Sequence, residues 1–180
     1  MDAHPEIRTA RPDDFARIAA VIDDWWGRPM QSAVPRLFLD HFHPTSLAAD
    51  IADTGNRGDG GGGGDGGDGG DGGGGGGGGD GRDGLAGFLI GFPSPAQPDA
   101  AYIHFVGISP DHRRTGLGAR FYERFFAIAR EAGRSRVRAI TSPVNTRSAA
   151  FHRAMGFTES GPIADYDGPG ADRLLFERTL

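Results

Sequence analysis

Neither cysteine nor lysine occurs anywhere in the 180 residues. The first absence excludes disulfides, thiolate nucleophiles, iron–sulfur clusters and cysteine-bound zinc. The second excludes a lysine Schiff base and the phosphate-gripping lysine of a Walker loop. All 19 basic side chains are therefore arginine. Long apolar runs are also missing, so nothing approaches the roughly 20 residues needed to cross a bilayer. The N-terminal MDAHPEIRTARP has no apolar centre of the kind a secretion signal carries. A soluble cytoplasmic protein with no membrane partner is the expectation. A net charge of −5 makes nucleic acid a poor partner. The length suits one domain spanning residues 1–180.

Charge is nevertheless uneven. Residues 101–180 carry 12 arginines against eight acids, whereas residues 1–54 carry five against nine. A basic half suits an anionic ligand, and an acidic half suits a cationic amine. Between them, 21 of residues 55–84 are glycine and six are aspartate. Such a stretch buries no apolar surface and is expected to be a disordered insert joining two strands. Closing a loop of that length adds only about 2 kcal/mol over a short hairpin, so it can interrupt a domain without breaking it. It lacks the regularly placed aliphatics of calcium-binding nonapeptide repeats. His41 and His43, two residues apart, do not share a helical face, so no metal site is expected there.

The remaining pattern alternates strands and helices. Strands are expected at 6–10, 46–52, 85–92, 102–108, 136–141, from 157, and at 173–178. Helices are expected from Asp14, with Phe15, Ile18, Ala19 and Ile22 inward, at 36–42, from Leu117 to a stop at Gly133, and from an Asn145 cap through Ala154. Trp25-Trp26-Gly27-Arg28-Pro29 reads as a loop, and residues 166–170 form a turn-rich loop able to close over a bound acceptor.

The organising stretch is 102–119, YIHFVGISPDHRRTGLGA. It runs from a buried strand through a proline turn into Arg113-Arg114-Thr115-Gly116-Leu117-Gly118, and then into a long helix. The first turn of a helix presents unpaired N–H groups and a partial positive charge, which together attract phosphate. Two glycines permit close approach, and two arginines add charge. This order predicts a pyrophosphate cradle. The dinucleotide fingerprint fits less well, because Phe121 stands where its third glycine belongs.

Arg113, Gly116 and Gly118 match the Arg/Gln-x-x-Gly-x-Gly/Ala signature of the GNAT superfamily of acyl-CoA-dependent N-acetyltransferases. A second signature follows from Asn145 through Phe151 and His152 to Gly156-Phe157. On these two motifs the chain resembles that superfamily along nearly all its length outside the insert. The resemblance implies an α/β (α+β) fold, a mixed and mostly antiparallel sheet that splays open beside the central strand. It implies acetyl-CoA as co-substrate with no metal, and transfer by direct attack of a primary amine on a small molecule or peptide. Pairing of protomers as a homodimer is left open.

By position, the main chain of Val106 and Ile108 would hold the pantetheine arm. The N–H groups of Arg114, Thr115, Gly116, Leu117, Gly118 and Ala119 would hold the pyrophosphate, with Arg113 and Asn145 also on the cofactor side. His152 occupies the place of the family's thiolate-protonating tyrosine, and a histidinium there could donate the proton. Tyr102 and His104, with the strand parity of Val106 and Ile108, are candidate groups facing the acceptor, and His104 suits a general base. Trp25 and Trp26 would wall the acceptor side or grip a cation. Two other readings stay open at this point. One is a module that binds acyl-CoA without turnover; the other is a nucleotide-binding regulatory domain using the same cradle.

Overall fold

The computed structural model describes residues 4–51 and 84–180. Apart from Gly84, the Gly/Asp segment expected to be disordered lies outside the described residues. The chain runs β1 (Glu6–Thr9), α1 (Asp14–Trp26), α2 (Leu37–Phe42), β2 (Leu47–Asp50), β3 (Leu85–Pro93), β4 (Ala100–Ile108), α3 (Leu117–Glu131), β5 (Arg136–Thr141), α4 (Thr146–Ala154), β6 (Thr158–Ile163) and β7 (Arg173–Thr179). The sheet order is β1-β2-β3-β4-β5-β7-β6. Among the described residues, only β4 and β5 pair in parallel. β2 and β3 are antiparallel neighbours, so the segment between them joins paired strands.

Each face of the sheet has its own core. On one, α3 buries Phe121, Tyr122, Phe125 and Phe126 against β3, β4, β5 and β7. Each such ring contributes about 1.5–3 kcal/mol on leaving water. On the other, Ile18, Ile22 and Leu39 of α1 and α2 pack on Phe88 and Ile90. α1 begins at a buried charge cluster. Asp14 accepts from the Arg11 N–H at 2.8 Å and pairs with Arg8 at 2.8 Å and Arg17 at 3.1 Å. Asp50 of β2 closes the cluster, at 2.6 Å from Arg8. Burial opposes the Asp14 charge, but hydrogen bonds from Arg8, Arg11 and Arg17 outweigh it and hold the carboxyl at about 2.

Two features of β4 position everything that follows. β5 pairs with Ala100–Ile103 only, so residues 104–108 have no β5 partner on that edge. At the same place β4 bulges. Ile90 faces Phe105 and Gly91 faces Ile103, leaving His104 as the extra residue. The bulge resets the alternation of side chains. Ile103, Val106 and Ile108 pack toward α3, whereas Phe105 joins the α1/α2 core and His104 stacks on Phe38 of α2. The expected shared parity of His104 with Val106 and Ile108 is thus corrected, since one inserted residue inverts every facing beyond it.

Candidate active site

The cradle forms where β4 ends. Ser109 donates its N–H to Ala86 of β3 at 2.9 Å, which turns the Ile108 carbonyl toward the uncovered edge. Strand alternation by two puts the Val106 N–H and C=O on that same edge. Past the short turn at 110–112 the backbone enters the left-handed region twice, at Arg114 (φ 66°) and at Gly116 (φ 83°), before α3 starts. A side chain at Gly116 would meet no neighbouring atom, so its glycine answers to backbone conformation rather than crowding. At Gly118 an added Cβ would come within 3.4 Å of the Phe151 ring, which brings α4 against the start of α3. Among the described residues, the N–H groups of Arg114 through Ala119 have no protein acceptor. Six main-chain donors at a helix start, beside an uncovered strand edge, fit an anionic ligand with an extended arm.

The two arginines divide the work differently from the sequence expectation. Arg113 does not present its guanidinium to the cradle. Its Nη2 donates to the Trp25 carbonyl at 2.6 Å and its Nε to the Ile108 carbonyl at 3.3 Å. It ties the end of α1 to the end of β4. Arg114 is exposed and is the arginine left facing solvent beside the six amides. Trp25 and Trp26 form the last turn of α1 rather than a loop, because Gly27 (φ 65°) supplies the left-handed stop two residues later than a loop starting at Trp25 requires. Trp26 lies 5.0 Å from Phe105 and Trp25 lies 6.0 Å from Phe88.

The two candidate histidines differ sharply. His104 places Nε2 at 2.9 Å from the Ala33 carbonyl. A carbonyl only accepts, so Nε2 carries the proton and Nδ1 carries the lone pair. Nδ1 has no protein partner among the described residues and is not enclosed. Burial lowers the pKa of this ring and the Ala33 bond only partly opposes it, so the neutral imidazole prevails near pH 7. Tyr102, on the same side, is pushed up by burial and then by Tyr166 and Asp167, and stays protonated. Those two neighbours belong to the loop at 166–170, which therefore lies by the Tyr102 phenol.

His152 is 4% exposed, with both nitrogens engaged. Nδ1–H donates to the Ser148 carbonyl at 2.8 Å, and Nε2 accepts from the buried Tyr122 hydroxyl at 3.0 Å. The ring stacks on Phe176 at 4.5 Å. Burial lowers its pKa. A histidinium poised to donate is therefore not what stands there; the structure makes His152 a packed bolt between α3 and α4. Asn145 accepts from the Ser148 N–H at 3.2 Å, a cap that sets where α4 begins.

Sequence reasoning did not single out Phe38 or the Ala33 carbonyl, which orient His104 from 66 and 71 residues away; no local pattern marks either. A cavity of about 890 Å³ is lined by residues such as Glu123, Met155, Gly156, Ser160 and Arg178, and shares none with the cradle or His104. Its Arg178 is already bound to the Met155 carbonyl at 2.6 Å. No group of three or more potential metal ligands occurs among the described residues, and no helix among them is long and apolar enough to cross a membrane.

The uncovered half of β4 and the six free amides at its end form one continuous strand edge and cradle. Residues 76–157 match the Acetyltransferase (GNAT) family. The fold is similar to Ard1 from Thermoplasma volcanium, at 15% identity and TM-score 0.69, covering 99% of both chains. It is similar to the NatC complex bound to Gag peptide and CoA, at 15% identity and TM-score 0.70, again over 99% of both chains. Diaminobutyrate acetyltransferase EctA from Paenibacillus lautus, in complex with L-2,4-diaminobutyric acid and coenzyme A, gives 15% identity and TM-score 0.63 over 98% of this chain and 95% of that one. No curated protein matches in sequence. The family match, over under half of the chain, and the fold point the same way, toward the GNAT acetyltransferases.

Proposed function

We propose that the chain moves an acetyl group from acetyl-CoA to a primary amine by direct attack. The observation that carries this reading is the set of six acceptor-free amides, Arg114 to Ala119, at the end of the half of β4 that β5 leaves uncovered. Their N–H groups would hold the pyrophosphate, with Arg114 adding charge. The main chain of Val106 and Ile108 would take the pantetheine arm as an added strand. The CoA bound by NatC and by EctA supports the same choice of co-substrate.

On the other side of β4, His104 is the general base, its open Nδ1 taking a proton from the amine directly or through one water. The amine nitrogen bonds to the thioester carbonyl carbon, the carbon–sulfur bond breaks, and CoA leaves as its thiolate. Solvent then protonates that thiolate, since His152 is sealed in the core. Holding amine and thioester in line contributes several kcal/mol. Trp25 and Trp26 border the acceptor side, and Tyr102 is a donor there rather than a base.

The test is thiol release from acetyl-CoA with a panel of amines and a cell metabolite extract, with acetylated products identified by mass spectrometry. Amine-dependent release with a matching acetylated product is expected. Tight CoA binding without any acetylated product would make the chain a holding module. Equal thermal stabilisation by ATP, NAD and CoA would make it a nucleotide binder.

A further inference from the structure

Rings pave the α1/α2 side of β4 around His104. Phe38 lies nearly flat on the imidazole, with centroids 4.0 Å apart at 12°. Phe92 follows, 6.2 Å from Phe38 and 5.7 Å from Tyr102. In the other direction Phe105 sits 5.0 Å from Trp26. Each of these rings is only half-buried, so each keeps surface free for a further contact.

Two carboxylates on neighbouring segments are already paired with arginine. Asp167 pairs with Arg173 at 2.7 Å and Asp40 with Arg36 at 3.3 Å. Asp23 accepts from the Met30 and Gln31 N–H groups at 2.7 and 3.1 Å. A second cationic group on a substrate would find the Asp40 and Asp167 charges already matched by arginine. An apolar ring would find stacking partners on both sides of the base. An extra buried ring with good aromatic geometry is worth about tenfold to a hundredfold in affinity.

Resting on the acetyl-transfer reading, we propose that the acceptor is a primary amine with a single cationic centre, carried one or two carbons from an aromatic group, and that Phe38, Phe92 and Phe105 select it. A free arylalkylamine and the amino end of a peptide beginning with an aromatic residue share this chemistry.

The test compares kcat/KM for 2-phenylethylamine, a phenylalanine-initiated tetrapeptide, propylamine, spermidine and 2,4-diaminobutyrate. At least one ring-bearing amine should exceed propylamine by about 30-fold or more, and exceed spermidine and 2,4-diaminobutyrate by a wider margin. Which of the two ring-bearing arms leads identifies the source. In Phe92→Leu, and separately in Phe105→Leu, the ratio of the ring-bearing amine to propylamine should shrink at least about fivefold. Using a ratio within one protein cancels any loss of folded enzyme. Spermidine or 2,4-diaminobutyrate turned over as well as the ring-bearing amines, or a ratio unmoved by both variants, would overturn the selection while leaving acetyl transfer in place. No turnover with any amine would overturn both.

Discussion

β4 is two different strands joined at His104. Its first half, residues 100–103, is hydrogen-bonded to β3 on one edge and β5 on the other, and three of its four side chains are buried. Its second half, residues 104–108, keeps β3 but has no β5 partner, and most of it is only partly covered. The two histidines follow the same division. His152 lies in the closed packing between α3, α4 and β7, with every polar atom satisfied; His104 opens the uncovered half with one nitrogen free. Residue type did not decide which ring keeps a nitrogen unengaged. Backbone pairing did, because a fully paired sheet leaves neither a strand edge for a ligand nor space beside it.

That contrast breaks if substitutions in the closed region cost activity, or substitutions in the open region cost only stability. His104→Gln should lower kcat by about 10²–10³-fold with little change in melting temperature. Its pH profile gives a second check. A base must be neutral to accept a proton, and burial lowers the His104 pKa below its ordinary 6.5. The wild-type kcat should therefore hold steady as pH falls to 6.5 and drop only below it, a limb missing in the variant. Gly116→Val forces a β-branched residue to φ 83° and misdirects the cradle amides. Acetyl-CoA should bind about 30-fold more weakly or worse.

His152→Ala should do the reverse. It removes two buried hydrogen bonds and a stacked ring, so about 2–3 kcal/mol of stability is expected to go, while kcat of the folded fraction stays within about threefold. Asp14→Asn gives the smallest effect, about 1.5 kcal/mol near neutral pH, with activity unchanged at saturating substrate. The folded carboxyl titrates near 2, below its ordinary 3.8. Its contribution is complete above pH 3.8 and fades as pH falls through 2, so urea titrations of wild type and variant should converge in acid.

Much of this was legible in the residues. Helical spacing of Phe121 and Phe125, the proline turn after β4 and the glycines at 116 and 118 all report local backbone requirements, and these the sequence states directly. The Asn145 cap is of the same kind. What stayed hidden was non-local. Nothing in Ile103-His104-Phe105 signals a bulge, because the inserted residue is set by register against β3. Arg113 looked like a phosphate ligand because its anchor, the Trp25 carbonyl, lies 88 residues away. His152 looked reactive because its partner Tyr122 belongs to another helix. The Arg8–Asp14–Asp50 cluster also went unmarked, since its members come from three elements.

The most direct measurement is amide chemical-shift perturbation by nuclear magnetic resonance on a ¹⁵N-labelled sample titrated with CoA. The N–H signals of residues 114–119 should move first and furthest, followed by Val106 and Ile108, with Met155, Gly156 and Ser160 of the large cavity unmoved. Shifts centred on that cavity, or none at 114–119 with CoA in excess, would contradict the placement of the cofactor and the transfer reaction built on it.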